Sequence, residues 1–377
     1  MSDLGPRTRQ RLAVMAVAIA VVAVAGVWAL RPETRTSIPS PGPATFRTVT
    51  GPYSAAFDFV TPSLGWALLT DYGSLSPARF FVFKTTDGAG HWQKQFAGQL
   101  VGDLTYLHFL DARNGFLYVG PPYRTVDGGA HWQQVDVPGP VSSVSFASPT
   151  TGWAEVFAPQ GYASFYRTVD GGKTWAEEGP APPESEVLEP HVGQPSRFRE
   201  NGEGWLGAVR QPAPTVFVTA DGGKTWHTVE LFPTFESDYY DTMVSLIPGA
   251  VVAFVSNGTG QILGPFLSRD GGSSWQGAAI LPFDGLVSAD QLTFVDADHW
   301  WLFDSGSVYT TDDGGSSWLY LHVSAFPSES WRSSNVRAID QTHAWWALTS
   351  TSNSEIGALA MTSDGGEHWS MVNAPQP

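Results

Sequence analysis

The 377-residue chain carries a formal net charge of −16, contains no cysteine, and is 42% hydrophobic and 13% aromatic. Without cysteine there is no disulfide, thiol nucleophile, cysteine metal site or lipidated cysteine. The first 50 residues set six Arg against Asp3 and Glu33, a balance of +4, so the rest carries −20 and repels nucleic acid and anionic lipid.

Residues 1–11 include Arg7, Arg9 and Arg11, and Leu12 to Leu30 form an unbroken apolar run of 19 residues closed by Arg31-Pro32. As a helix this run spans roughly 28 Å, about one hydrocarbon core. The basic flank assigns residues 1–11 to the cytoplasm, makes 12–30 a single transmembrane anchor, and sends residues 31–377 to the extracytoplasmic side. Trp28 suits the outer interface. A signal peptide cleaved near Ala23-Val24-Ala25 is the other reading of the same run, with the same destination for the remainder. Residues 31–45 (RPETRTSIPSPGPAT) are a Pro-rich, extended tether.

From residue 46 onward the chain repeats. Seven copies of one phrase occur: TTDGAGHW (85–92), TVDGGAHW (125–132), TVDGGKTW (168–175), TADGGKTW (219–226), SRDGGSSW (268–275), TDDGGSSW (311–318) and TSDGGEHW (362–369). Their aspartates, Asp87, Asp127, Asp170, Asp221, Asp270, Asp313 and Asp364, are 40 to 51 residues apart, a period that signals a repeat architecture. A second phrase precedes each copy: an apolar residue, then Gly-Trp or a near equivalent six and seven positions on. It reads Phe59…Gly65-Trp66, Phe109…Gly115-Phe116, Phe146…Gly152-Trp153, Phe198…Gly204-Trp205, Phe294…Trp300-Trp301 and Ile339…Trp345-Trp346. The fifth unit, around Met243 to Val255, lacks it.

Each unit contains four short runs rich in Val, Phe, Tyr, Thr and Trp between Gly, Pro and Asp turns, which predicts four antiparallel strands, A to D. The Asp-Gly-Gly phrase is the C–D turn. Its glycines supply positive φ, and its Asp accepts hydrogen bonds from the turn's own N–H groups. One such sheet cannot bury both faces, so seven stack around an axis: the fold is all-β, a seven-bladed β-propeller over 46–377 behind the N-terminal helix. FRTVTGP (46–52) echoes the end of a unit, WQQVDVP (132–138), so 46–50 should pair near blade 7 and help close the ring.

The aspartate phrase resembles the bacterial neuraminidase repeat, or Asp-box. Paired with Phe-x5-Gly-Trp it is most similar to the photosystem II assembly factor-like family of bacterial propeller proteins, over roughly residues 53–372. That resemblance implies a propeller that scaffolds or assembles other proteins. Asp-box propellers also include sialidases, xyloglucan hydrolases and sortilin-type receptors, so function has to come from a site.

Propeller topology puts the A–B and C–D turns on one face, with the boxes, and the B–C and D–A connections on the other. Length variation falls in the second set: 70–79, 179–196, 231–242, 255–262 and 322–334. Irregular loops of this kind on a rigid scaffold carry binding. The candidate binding face is therefore Tyr72, His191, Tyr239, Tyr240, Asp241, Trp331 and Arg332. Trp331 has no repeat position and is read either as packing its loop down or as an exposed anchor for a glycan or peptide. Trp300 and Trp345, at the Gly position of their phrases, read as blade–blade packing.

The box aspartates recur in every unit and read as structural, as do His91, His131 and His368 at one box position. No calcium-loop or zinc-ligand spacing occurs, so no metal and no cofactor is expected. A glycosidase needs a carboxylate pair across a cleft, and Glu184, Glu186, Glu189, Glu236, Asp238, Asp241 and Glu329 are no more than an acidic surface supplies. A sialidase needs an arginine clamp and a Tyr nucleophile. Arg197, Arg199, Arg332 and Arg337 are the arginines available to line the channel, without the Arg-Ile-Pro motif of that family. The expectation is a non-enzymatic, membrane-anchored binding or scaffold protein with an envelope-protein partner, the alternatives being a glycan-binding module or a sialidase-like hydrolase.

Overall fold

The computed structural model describes residues 34–35 and 47–377, apart from 52, 72–77, 102–104, 158–162, 183–196, 209–211, 233–239, 258–261, 278–290, 305–306, 324–330 and 354–355. The transmembrane anchor expected at 12–30 lies outside the described residues, among which no helix is long and apolar enough to cross a membrane.

Seven antiparallel sheets succeed one another along the chain, at 53–99, 106–134, 141–180, 198–230, 240–277, 292–322 and 331–372. In each the strands lie in sequence order from the innermost, A, outward. Blade 4 keeps only a bridge, Phe198 opposite Gly204, where the other blades have a full strand A. Blade 5 shows why the second phrase is missing there. Its A and B strands, Tyr240–Ile247 and Ala250–Asn257, are joined by Pro248-Gly249 alone, with Gly249 at φ 78°. A two-residue hairpin leaves no room for the longer turn that the phrase builds.

The box turn has one geometry seven times. The Ser or Thr hydroxyl donates to the Asp Oδ1 at 2.8–2.9 Å. The same hydroxyl oxygen accepts the backbone N–H four residues on. Oδ1 also accepts the N–H four residues after the Asp, whose side chain donates to Oδ2 at 2.5–2.7 Å. That last donor is His91, His131 or His368 in three boxes and Thr174, Thr225, Ser274 or Ser317 in the others, so the three histidines do what a hydroxyl does elsewhere. In six blades the first box glycine also donates its N–H to a carbonyl of the A–B turn, at 2.8–3.0 Å. The two turns of the box face are thus tied together, as the topology predicts.

The Gly-Trp phrase builds the contacts between blades. Trp66 stacks on Phe109 of the next blade, Phe116 on Phe146, and Trp153 on Phe198, with ring centroids 3.5, 3.9 and 4.6 Å apart. In blades 1 and 2 the glycine leaves room for the Phe of the same phrase, which lies over it: a Cβ on Gly65 or Gly115 would come within 2.3 or 2.4 Å of that ring. Trp66, Trp153 and Trp205 then donate their indole N–H to a box-glycine carbonyl of the following blade, at 3.0–3.1 Å.

Blade 7 corrects the sequence reading. Its box residue Thr362 pairs with Ala344, as Thr85 pairs with Gly65 in blade 1. The phrase there is Ala338…Ala344-Trp345, one residue earlier than Ile339…Trp345-Trp346. Trp345 is the phrase Trp, and it stacks on Phe59 at 3.7 Å. Trp346 is the additional aromatic, donating to the Ser333 hydroxyl and packing against Phe303. Trp300 does stand at the Gly position, fully buried, with its indole donating to the Asp296 carbonyl.

The ring closes with both ends of the propeller. Ser370–Val372 and Val49–Thr50 pair with one edge of the same strand, Ile356–Thr362, so the outer strand of blade 7 is made from two termini. Thr34–Arg35 pair in parallel with Tyr320 and Leu321 on the outer strand of blade 6.

Candidate functional site

Strand register brings one residue of each blade to the same level of the inner strand, opposite the position of the phrase aromatic. The seven are Asp58, His108, Ser145, Arg197, Ser245, Thr293 and Arg337. All are polar, at a level flanked by the aromatic layer. Six immediately precede the apolar residue of their phrase and Ser245 precedes the equivalent Leu246, so the column is continuous in sequence and only its variable chemistry hid it.

The belt has two ionic foci. At the seam between blades 7 and 1, Arg337 Nη2 lies 2.9 Å from Asp58 Oδ1. Asp58 Oδ2 receives the Phe109 N–H at 2.6 Å and lies 3.1 Å from His108 Nδ1. Burial pushes the Asp58 carboxyl up, but Arg337, His108 and the Phe109 N–H outweigh it and hold the group below the usual carboxylate range. Burial, with the Asp58 charge, pushes the neighbouring Tyr106 phenol well above its ordinary value. The second focus joins blades 3 and 4. Glu155 is buried, accepts the Ser143 hydroxyl at 3.2 Å and lies 3.8 Å from Arg197, whose own pKa burial lowers. Thr293 shows the neutral version of the arrangement, its hydroxyl oxygen accepting the Ala338 N–H of the next blade at 3.2 Å.

Two of the four candidate clamp arginines, Arg197 and Arg337, therefore stand at this level, each facing a carboxylate. Arg199 is elsewhere: it sits in the A–B turn, bonded to Glu203 at 3.0 Å and stacked over Trp205. Arg332 pairs with Thr349 through the backbone.

The predicted binding face is resolved in part. Tyr72, His191 and Tyr239 lie outside the described residues. Trp331 is placed not in a loop but as the first residue of strand A of blade 7, opposite Ser350, where it is half-buried against the core between blades 6 and 7. Tyr240 and Asp241 likewise open strand A of blade 5; Tyr240 is buried, edge-on to Phe232. The propensity of Trp and Tyr for strands extends the sheets into what looked like connections. Among the described residues, no group of three or more His, Asp and Glu could hold a metal ion.

Seven sheets, seven Asp-box turns and an aromatic layer between blades define an Asp-box β-propeller. A family profile described as BNR/Asp-box repeat matches residues 217–228, the box turn of blade 4. No curated protein sequence matches the chain. Among solved structures, YCF48 bound to a D1 peptide is 18% identical, over 86% of this chain and 97% of that one, with a TM-score of 0.49. The GH74 enzyme of Niastella koreensis is 14% identical, over 86% of this chain and 58% of that one, at 0.46. The β-propeller domain of the Trilobed protease of Pyrococcus furiosus is 10% identical, over 84% and 97%, at 0.55.

Proposed function

We propose that this protein is a non-enzymatic, membrane-anchored propeller on the extracytoplasmic side, and that it binds another envelope protein through the face opposite the Asp-boxes. The observation that carries this reading is the hydrogen bond from box glycine to A–B turn, repeated in six blades. It makes the box face a fixed framework and leaves adjustable chemistry to the B–C and D–A connections, where the length variation lies. The likeness of the paired phrases to an assembly-factor family supports the same choice.

A glycoside hydrolase is the competing function, and the ionic foci weigh against it. A general acid needs a carboxyl with a raised pKa. Asp58 is held ionised by Arg337, and Glu155 faces Arg197. The test is affinity capture from detergent-solubilised membranes with the full-length chain as bait. Baits altered in the 70–79 and 255–262 connections run in parallel, and fluorogenic sialosides and xyloglucan are assayed with the same preparation. One envelope protein, retained by the native bait and lost with the altered ones, is the expected result. Turnover of either substrate would replace the binding reading with the enzymatic one.

A further inference from the structure

We infer that the propeller stands with its Asp-box face toward the membrane, leaving the opposite face pointed away from the lipid and open to a partner. This rests on the anchoring of residues 12–30 proposed above. Two backbone relationships carry it.

The first is where the tether enters the ring. The Arg47 N–H donates to the Asn373 side-chain oxygen at 3.0 Å, and the Asn373 amide donates to the Gly90 carbonyl at 2.6 Å. Gly90 belongs to the box turn of blade 1, so the chain arrives beside a box turn.

The second is the direction of the earlier contact. The outer strand of blade 6, Leu319–His322, begins at the box phrase 311–318 and runs away from it. Thr34 and Arg35 pair with it in parallel. Chain direction therefore puts Thr34, the N-terminal end of this pair, nearer the box side than Arg35. Leu30, the last residue of the apolar run, is four residues from Thr34, a reach of at most about 14 Å for extended chain. The edge of blade 6 is thereby kept near the bilayer surface, with the box side leading. A domain carrying −20 gains no attraction from anionic lipid, so the tether sets the orientation.

The absence of native cysteine makes the test direct. Val126 and Val169, in the box turns of blades 2 and 3, are 48% and 65% exposed, whereas Val101, 62% exposed, lies in the D–A connection on the opposite face. Val126→Cys, Val169→Cys and Val101→Cys are made singly in the full chain, labelled with one fluorophore, and reconstituted into vesicles whose headgroups carry a quencher. Unchanged melting temperatures establish that the labelled chains are folded. The Val126 and Val169 labels should lose the larger share of their fluorescence, at low and at high salt alike. Equal loss at the three sites, or greater loss at Val101, overturns the orientation while leaving the anchor intact. A chain that remains in the aqueous phase overturns the anchor, and the orientation with it.

Discussion

Trp345 of the last blade stacks on Phe59 of the first, with ring centroids 3.7 Å apart and the planes 7° from parallel. The same contact joins blades 1 to 2, 2 to 3 and 3 to 4, so the seam where the chain ends meet is packed like an interior junction. Trp92 then packs edge-on against Phe59, as Trp132 does against Phe109, making a three-ring unit at the junction.

That unit couples the phenylalanine to the glycine of its own phrase. Gly65→Ala forces a Cβ to within 2.3 Å of the Phe59 ring and should destabilise the protein by about 1–3 kcal/mol through overpacking. Phe59→Ala alone should cost about 3–5 kcal/mol through lost burial and a cavity. Combined, the two substitutions should cost less than their sum, because the clash is gone. Blade 7 already carries the double form, Ala338 with Ala344. Urea unfolding of the four proteins checks this. Strict additivity would mean the close approach is not what requires glycine.

How far the sequence can be read depends on what each position demands. The box and the Gly-Trp phrase are legible because both meet backbone needs that few residues satisfy: positive φ, a carboxylate cap, no Cβ beneath a ring. The phase of blade 7 is not, because the Trp345-Trp346 pair fits two alignments and only the pairing of Thr362 with Ala344 decides between them. The polar belt escapes notice since Asp, His, Ser, Arg and Thr share only polarity and place. Trp331, four residues after Pro327 in a Ser-rich stretch at a blade boundary, reads as loop until Ser350 is seen opposite it.

The boxes make the fold acid-sensitive in a defined window. The Thr174, Thr225 and Ser274 hydroxyls, then the turn N–H groups, hold Asp170, Asp221 and Asp270 at about 2; for Asp127 the His131 N–H leads. A carboxyl whose folded pKa lies below its unfolded value contributes stability above that unfolded value and loses it as pH falls through the folded one. Melting temperature should therefore hold from pH 7 to about 4, then drop toward pH 2. Asp221→Asn should lower stability at pH 7 and make the acid drop shallower. Asp221→Ala should cost on the order of 1–3 kcal/mol from lost turn hydrogen bonds and leave partner binding unchanged.

Asp58 and Arg337 predict a non-additive pair. Arg337→Met leaves the buried Asp58 carboxylate with only His108 and the Phe109 N–H, and should cost about 2–3 kcal/mol, less than for a fully buried pair because the arginine is partly solvated. Asp58→Asn can still accept the Phe109 N–H and should cost less. The double variant should be no worse than Arg337→Met alone, and a thermal-unfolding double-mutant cycle reads the coupling. Full additivity would remove the ion pair from any account of seam stability.

Asn373 gathers three hydrogen bonds of the ring closure. Its amide donates to Gly90 of blade 1, its side-chain oxygen accepts the Arg47 N–H, and its carbonyl accepts the Trp92 indole N–H at 2.7 Å. Ala374 adds a backbone bond to Arg47, and the Gln376 amide reaches the Thr48 carbonyl. The two short segments paired on the outer edge of blade 7 are only two and three residues long, too few to hold the edge by ladder bonds alone. Asn373→Ala removes both side-chain bonds while leaving the backbone bond to Trp92. It should cost about 1–3 kcal/mol and, more tellingly, should raise amide exchange at 47–50 and 370–374 while the inner strands stay protected. Local opening of this kind is expected where few buried contacts back the hydrogen bonds. Uniform loss of protection across all seven blades would show instead that the ring opens as one cooperative unit, with Asn373 contributing to global stability rather than to a separable latch.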